Sequence, residues 1–290
     1  MSSLNPNLIA EILKFKKDVH FLAHFYEEGE VQDLADSIGD SFQLAKAGQE
    51  THKSTILMCG VVFMAESVKI LNPSKKVIVP DLGAGCSLVE ESPYEKFLEW
   101  RLKHPSAIAV TYINSSALVK SISDVIVTSK KKKKIIESIP KNRQILFAPD
   151  KNLGRWLSHT LKRDMILWPG SCQVHILFSI KKILQLKAEH PQAMVLAHPE
   201  CNDDVLSVSD VIKSTYRLLE EVTQNPAKQF IVATEPGIIH QMKKARPDAE
   251  IFEAPSDNSC GCNNCPYMKL NTLNKIYDCL VSGSPEIQLP

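Results

Sequence analysis

The sequence predicts an α/β fold of three repeated αβα units, with parallel sheets set about a pseudo-threefold axis and an active site at its centre. Two observations carry this. Strand-like apolar runs alternate with helical patterns along the whole chain, and one set of polar features recurs three times in register. The runs Val19–Phe25, Thr55–Cys59, Lys76–Pro80, Ala107–Tyr112, Asp124–Val127, Gln144–Ala148, Met165–Trp168, Ala193–Ala197, Gln229–Ala233 and Glu250–Phe252 read as buried strands. Between them lie amphipathic stretches such as Val31, Leu34, Ala35 and Ile38. Such alternation argues for βαβ units and parallel sheets.

The repeat is the more informative signal. Asp36-Ser-Ile-Gly-Asp-Ser41, Asp124-Val-Ile-Val-Thr-Ser129 and Asp210-Val-Ile-Lys-Ser-Thr215 share the pattern Asp-x-Ile-x-x-(Ser/Thr), at offsets of 88 and 86 residues. Twelve residues before each Asp comes a polar pair at a strand end: His24-x-Tyr26, Tyr112-x-Asn114 and His198-x-Glu200. Downstream of each hydroxyl lies a cysteine, at 45 residues (Cys86), 43 (Cys172) and 50 (Cys265). The units implied are residues 1–90, 91–176 and 177–290, the last carrying the C-terminal cysteine segment. Ligands of open α/β sheets bind outside the carboxyl ends of the strands, so pairs, hydroxyls and cysteines would converge on one central site. The bland alternative is that the copies share only scaffold residues, each hydroxyl being a helix N-cap. The two are compatible, because a helix start capped by Ser or Thr is also an anion site.

Composition narrows the function classes. The 290 residues carry 34 Lys+Arg against 33 Asp+Glu, and 44% are hydrophobic, which excludes disordered and fibrous classes. A net charge of +1 gives no general reason to expect nucleic acid or an anionic membrane as partner. The longest nearly unbroken apolar run, Ile56 to Ala65, is well short of the roughly 18 residues a membrane helix needs. Polar Ser2, Ser3, Asn5 and Asn7 ahead of Leu8, Ile9, Ile12 and Leu13 fit neither a signal nor a transit peptide, so a cytoplasmic location is expected. In a reducing compartment the eight cysteines suggest metal or redox chemistry rather than disulfides.

Three sequence-remote cysteines, one per repeat, suggest a metal at the axis, and thiolates favour zinc or an iron–sulfur cluster. A [4Fe–4S] cluster takes four thiolates, so three would leave one iron open to substrate as a Lewis acid. Cys260-x-Cys262-x-x-Cys265 tempts a structural-zinc reading, but no second half-site lies nearby. Cys59, Cys201 and Cys279 read as small buried hydrophobes.

Several blocks match a known family: AHFYEEGEVQDLADSIGDS (23–41), PDLGAGCSL (80–88), YINSSALVKSISDVIVTS (112–129), FAPDKNLGR (147–155), WPGSCQVH (168–175), LAHPEC (196–201), ATEPGIIH (233–240) and CNNCPYMKLNTL (262–273). Along nearly its full length the chain resembles the quinolinate synthases, iron–sulfur enzymes of de novo NAD biosynthesis. The resemblance implies condensation of iminoaspartate with dihydroxyacetone phosphate, with loss of phosphate and water. It implies one [4Fe–4S] cluster per chain on Cys86, Cys172 and Cys265, and an L-aspartate oxidase or dehydrogenase as the source of iminoaspartate. It adds Tyr112 and Asn114 as substrate contacts. Two features depart from the family: the run Lys130–Lys134 replaces a common Ser-Asn-Ala after Ser129 and reads as a solvated helix face, and the spacing of Cys260 and Cys262 differs from that of some relatives.

On this reading Ser41, Ser129 and Thr215, at helix starts, bind the substrate anions. His198 and Glu200, pointing the same way from one strand end, shuttle protons. Tyr26 assists enolization or dehydration and His24 binds a carboxylate. His175 reads as a neighbour of the cluster rather than a ligand, Glu235 reads equally as a loop former, and Glu66 and Lys120 match family blocks without an assigned step. Two rivals remain: a mononuclear metal hydrolase using His24, His198 and Glu200, and a non-catalytic module binding dicarboxylates or sugar phosphates.

Overall fold

Ten of the twelve strands in the computed structural model, which describes residues 6–257 and 263–290, fall on the apolar runs of the sequence. The first sheet comprises β1 (Val19–His24), β2 (Ser37–Gly39), β3 (Thr55–Cys59) and β4 (Lys76–Ile78). The second comprises β5 (Ile108–Tyr112), β6 (Val125–Val127), β7 (Ile145–Ala148) and β8 (Ile166–Leu167). The third comprises β9 (Met194–Ala197), β10 (Val211–Ile212), β11 (Gln229–Ala233) and β12 (Glu250–Glu253). All three are parallel throughout and share one strand order: β2-β1-β3-β4, β6-β5-β7-β8 and β10-β9-β11-β12.

The repeated Asp explains why that order recurs. Asp36 donates its amide to Phe21 O (2.8 Å) and accepts Phe21 N–H at its carboxylate (2.9 Å). Asp124 makes the same two-way clamp on Ala109 (3.0 and 2.8 Å), and Asp210 makes it on Val195 (2.9 and 2.8 Å). Each clamp locks the edge strand onto the first strand of its sheet by a side chain as well as by the backbone ladder, which pins the register. In the first copy this corrects the sequence reading, and in the third it adds a strand that the apolar runs did not mark. Ile38 belongs to β2, not to a helix, since the preceding helix stops at Leu34, and the third Asp-x-Ile opens β10.

The chain divides into two compact units, Met1–Cys86 with Cys265–Pro290, and Ser87–Asn264. In the first, helix Leu273–Ser282 sets Ile276, Cys279 and Leu280 in one core with Ile12, Phe21, Leu57 and Ile78. Each such burial contributes about 1.5–3 kcal/mol. The tail closes the open edge of β4, where Ile287 N donates to Val77 O (2.8 Å) and Glu286 bridges antiparallel to Ile78. In the second unit one cluster joins Ile183, Val195, Val205 and Ile231, and another joins Phe97 to Trp168. Cys260 and Cys262 lie outside the described residues. Among the described residues no helix is long and apolar enough to cross a membrane.

Candidate functional site

In the first unit β1 ends on His24, which is 4% exposed. The chain turns there, and Tyr26 N donates to His24 Nδ1 (3.2 Å), which leaves the ring proton on Nε2. The Tyr26 and His24 rings meet edge to face at 4.5 Å. Burial, helped by the Lys269 charge, pushes His24 down to about 3, so the imidazole is neutral at physiological pH. Lys269, four residues after Cys265, donates to Tyr26 O (2.7 Å), and Asn271 Nδ2 donates to the fully buried Glu27 carboxylate (2.8 Å). Ser41 is buried as the first residue of helix Ser41–Glu50. The cap is Asp40, whose carboxylate accepts from Phe42 N and Gln43 N while Gln43 Oε1 accepts from Asp40 N.

In the second unit the same turn recurs after β9, where Glu200 N donates to His198 Nδ1 (3.3 Å). His198 and Glu200 are 5% and 2% exposed. They converge through this turn, beyond the last strand residue Ala197, rather than by strand alternation as the spacing suggested. Glu200 Oε2 lies 3.1 Å from His175 Nδ1 and 3.7 Å from His198 Nδ1, and the two imidazoles stack at 4.5 Å. His175 Nε2 is hydrogen bonded to Thr234 Oγ1 (3.0 Å). Donor atoms of Cys172, His175 and Glu200 all lie within 4.8 Å of one another, a group able to hold a metal.

Asp150, fully buried, caps helix Lys151–Leu161 by accepting from Leu153 N (2.7 Å) and accepts from Cys172 N (3.1 Å) with its other oxygen. It thereby fixes the backbone that presents the Cys172 thiol. Burial and the Glu200 charge hold Asp150 well above the usual carboxylate range, against the pull of the backbone N–H groups. Burial would also raise Glu200, but His198, His175 and Lys132 outweigh it and bring it down to about 2. Two neighbouring carboxyls are thus driven apart into one proton holder and one anion.

Tyr112 ends β5, is 4% exposed, and its Oη is hydrogen bonded to Ser129 Oγ (2.7 Å); Asn114 follows, half-buried. Ser129 is not at a helix start, because the next helix spans Lys132–Ser138 with Lys131 in the capping position. Thr215 is the first residue of helix Thr215–Gln224, with Ser214 as its cap residue. None of the three hydroxyls is therefore an N-cap. The lysine run is not uniformly solvated either: Lys132 is 4% exposed, while Lys130, Lys131, Lys133 and Lys134 are exposed. Glu235 accepts Gly237 N–H (2.7 Å) within its own turn, in keeping with a loop former.

The six described cysteines form no disulfide and fall into two sets. Cys59, Cys201 and Cys279 are buried, and burial raises all three thiols, Cys279 to about 12. Cys201 Sγ donates to Ala233 O and Cys279 Sγ to Val79 O. Cys86, Cys172 and Cys265 are half-buried. Sequence reasoning missed Asp150, although it stands in the block 147–155, and missed the burial of Lys132.

Three like-ordered parallel sheets, histidine turns at the ends of the first strands of two of them, and a thiol–imidazole–carboxylate group able to hold a metal define an α/β protein equipped for acid–base chemistry. The sequence profile described as quinolinate synthetase A protein matches residues 9–290. The chain belongs to that family of enzymes. It is 50% identical over 291 residues to the quinolinate synthase of Nostoc punctiforme (strain ATCC 29133 / PCC 73102), covering 100% of this chain and 90% of that protein. It is 48% identical over 291 residues to the quinolinate synthase of Trichodesmium erythraeum (strain IMS101), again 100% of this chain and 90% of that protein. With the quinolinate synthase of Chloroherpeton thalassium (strain ATCC 35110 / GB-78) it shares 49% over 286 residues, 98% of this chain and 89% of that protein.

Proposed function

We propose that this chain is a quinolinate synthase, condensing iminoaspartate with dihydroxyacetone phosphate and releasing phosphate and water. Full-length likeness to relatives of that name carries the reading. The cofactor of this reading is one [4Fe–4S] cluster per chain on Cys86, Cys172 and Cys265, one ligand from each repeat (1–90, 91–176, 177–290). The donor chemistry fits. Among the described cysteines these three are the half-buried thiols, whereas Cys59, Cys201 and Cys279 are buried with thiols too basic to serve readily as thiolates. When bound, a cluster on three thiolates supplies a Lewis-acidic iron that aids departure of a hydroxyl.

The remaining steps fall to side chains. Glu200, ionised in a dry setting, accepts a proton from carbon, and His198 hands protons on from its Nε2 face. His24, neutral with Nε2–H available, donates to a substrate carboxylate, and Tyr26 beside it supplies a phenol for enolization or dehydration. Ser41, Tyr112, Asn114, Ser129 and Thr215 bind the substrate anions. The setting is the cytoplasm, with an L-aspartate oxidase or dehydrogenase supplying iminoaspartate. The second reading, a mononuclear metal on Cys172, His175 and Glu200, has its own support in their convergence.

Anaerobic purification with iron and sulfide counting, alongside an assay for quinolinate, tests the proposal. About four irons per chain, a brown colour lost in Cys86→Ser, and quinolinate formed from both substrates are expected. One metal without sulfide favours the second reading, and a colourless, fully active protein sinks the cluster.

A further inference from the structure

Lys269 stands in the short 3₁₀ turn Met268–Leu270 just beyond Cys265, and its amide donates to the Cys265 carbonyl (3.2 Å). Its side chain reaches the turn that follows β1. There Nζ donates to Tyr26 O (2.7 Å) and lies 3.4 Å from Glu28 Oε1. The same turn is held from helix Gly29–Leu34, where Gln32 Nε2 donates to Phe25 O (3.0 Å) and Glu27 O (2.9 Å). Glu27 N returns to His24 O (3.1 Å), and Tyr26 N closes on the His24 ring (3.2 Å). Asn271, two residues beyond Lys269, adds its bonds to the Glu27 carboxylate (2.8 Å) and Gly60 O (3.1 Å). The Lys269 side chain is 19% exposed and that of Glu28 59%, so water screens the ion pair and the bond to the Tyr26 carbonyl is the stronger of the two. All of these residues belong to the first unit.

We propose that Lys269 is a positioning residue: it joins the Cys265 backbone to the Tyr26 carbonyl, so that a metal held on Cys265 steadies the His24–Tyr26 pair. That Cys265 holds metal rests on the cluster reading above; the tie between the two segments rests on the geometry. A bond from the thiolate to iron adds a tether to the segment and makes its local opening rarer, and Lys269, four residues on, passes that restraint to the turn. Its ammonium also adds to burial in keeping the His24 imidazole neutral.

The test is amide hydrogen exchange of the full chain, before and after anaerobic loading with iron and sulfide, in wild type, Lys269→Met, Lys269→Arg and Glu28→Gln. Methionine keeps the apolar stem and removes the ammonium. In the unloaded protein the Tyr26 and Glu27 amides should exchange about 5- to 20-fold faster in Lys269→Met, the loss of one charge-assisted bond, while the β3 amides keep wild-type rates. Loading should slow the two turn amides about fivefold or more in wild type and less than about twofold in Lys269→Met, although both take up about four irons. Lys269→Arg keeps donor and charge and should preserve the slowing. Glu28→Gln should preserve it too, because the ion pair is exposed. In the loaded enzyme kcat should fall about tenfold in Lys269→Met and recover in Lys269→Arg. Wild-type exchange or an unaltered kcat in Lys269→Met overturns the proposal. Exchange quickened equally in the turn and in β3 also overturns it, since that marks a general loosening, as does loading that leaves the wild-type turn unchanged. If Lys269→Met does not fold, Lys269→Gln, with its shorter stem, decides by the same comparison. A wild type that binds no iron removes the cluster reading, and the unloaded comparison alone then decides the tie.

Discussion

Replacing Asp150 by Ala perturbs the second unit at a single buried carboxylate with two separable tasks. The cap bond from Leu153 N (2.7 Å) is lost, at about 1 kcal/mol. The Cys172 N–H, held at 3.1 Å, loses its acceptor inside the protein, at about 1–3 kcal/mol. Relief of the carboxyl's own burial beside Glu200 offsets part of this, so a net loss of about 2–3 kcal/mol is expected. Asp150→Asn keeps an oxygen for the cap but turns an N–H donor toward Cys172 N–H, so it should recover only the cap share, about 1 kcal/mol. The three tryptophans, Trp100, Trp156 and Trp168, all belong to the second unit, so their fluorescence in urea reports this unit. With a slope near 2 kcal/mol per molar urea, the Asp150→Ala midpoint should drop by about 1 M at constant slope. A change below about 0.5 kcal/mol, or Asp150→Asn as stable as wild type, would falsify the account of Asp150 as the anchor of the Cys172 backbone.

Two further outcomes concern the first unit. His24 is depressed to about 3 in the fold against 6.5 when unfolded, so the unfolded chain takes up the proton first as pH falls. Stability from this site is complete above pH 6.5 and declines below it, by about 2 kcal/mol at pH 5; hydrogen exchange of the β1 amides between pH 5 and 7.5 should show that slope, and His24→Asn should flatten it. Asn271→Asp replaces the amide that donates to Glu27 and to Gly60 O (3.1 Å) with a second carboxylate in a buried place. A loss of about 3 kcal/mol or more is expected in urea melts followed by circular dichroism, relieved when Glu27 is also changed to Gln.

The sequence made the long strands legible because apolar runs such as Gln229–Ala233 leave little alternative to burial. Its omissions were β2 and β10, three and two residues long, whose ordering comes from an Asp side chain rather than from a run of hydrophobes. In the candidate site, the register of the repeat picked out His24, Tyr26, His198 and Glu200 as pairs. The i, i+2 spacing named the right partners for the wrong geometric reason, since a turn and not a strand brings each pair together. Asp150 stayed hidden because its contact with Cys172 spans 22 positions. Lys132 stayed hidden because five consecutive lysines look alike until the chain has chosen which one to bury.

The aspartate clamps have a consequence for how such a protein can change. Each sits on Phe21, Ala109 or Val195, ahead of the residues that follow the first strand of its sheet. Register is therefore settled upstream, in a currency separate from the loops beyond. The strand ends and the loops beyond them carry a histidine with a tyrosine, a tyrosine with an asparagine, and a histidine with a glutamate, on sheets of one strand order. Division of labour among three copies of one module is what that separation permits: an ancestral unit could be triplicated first and specialised afterwards, one strand end at a time.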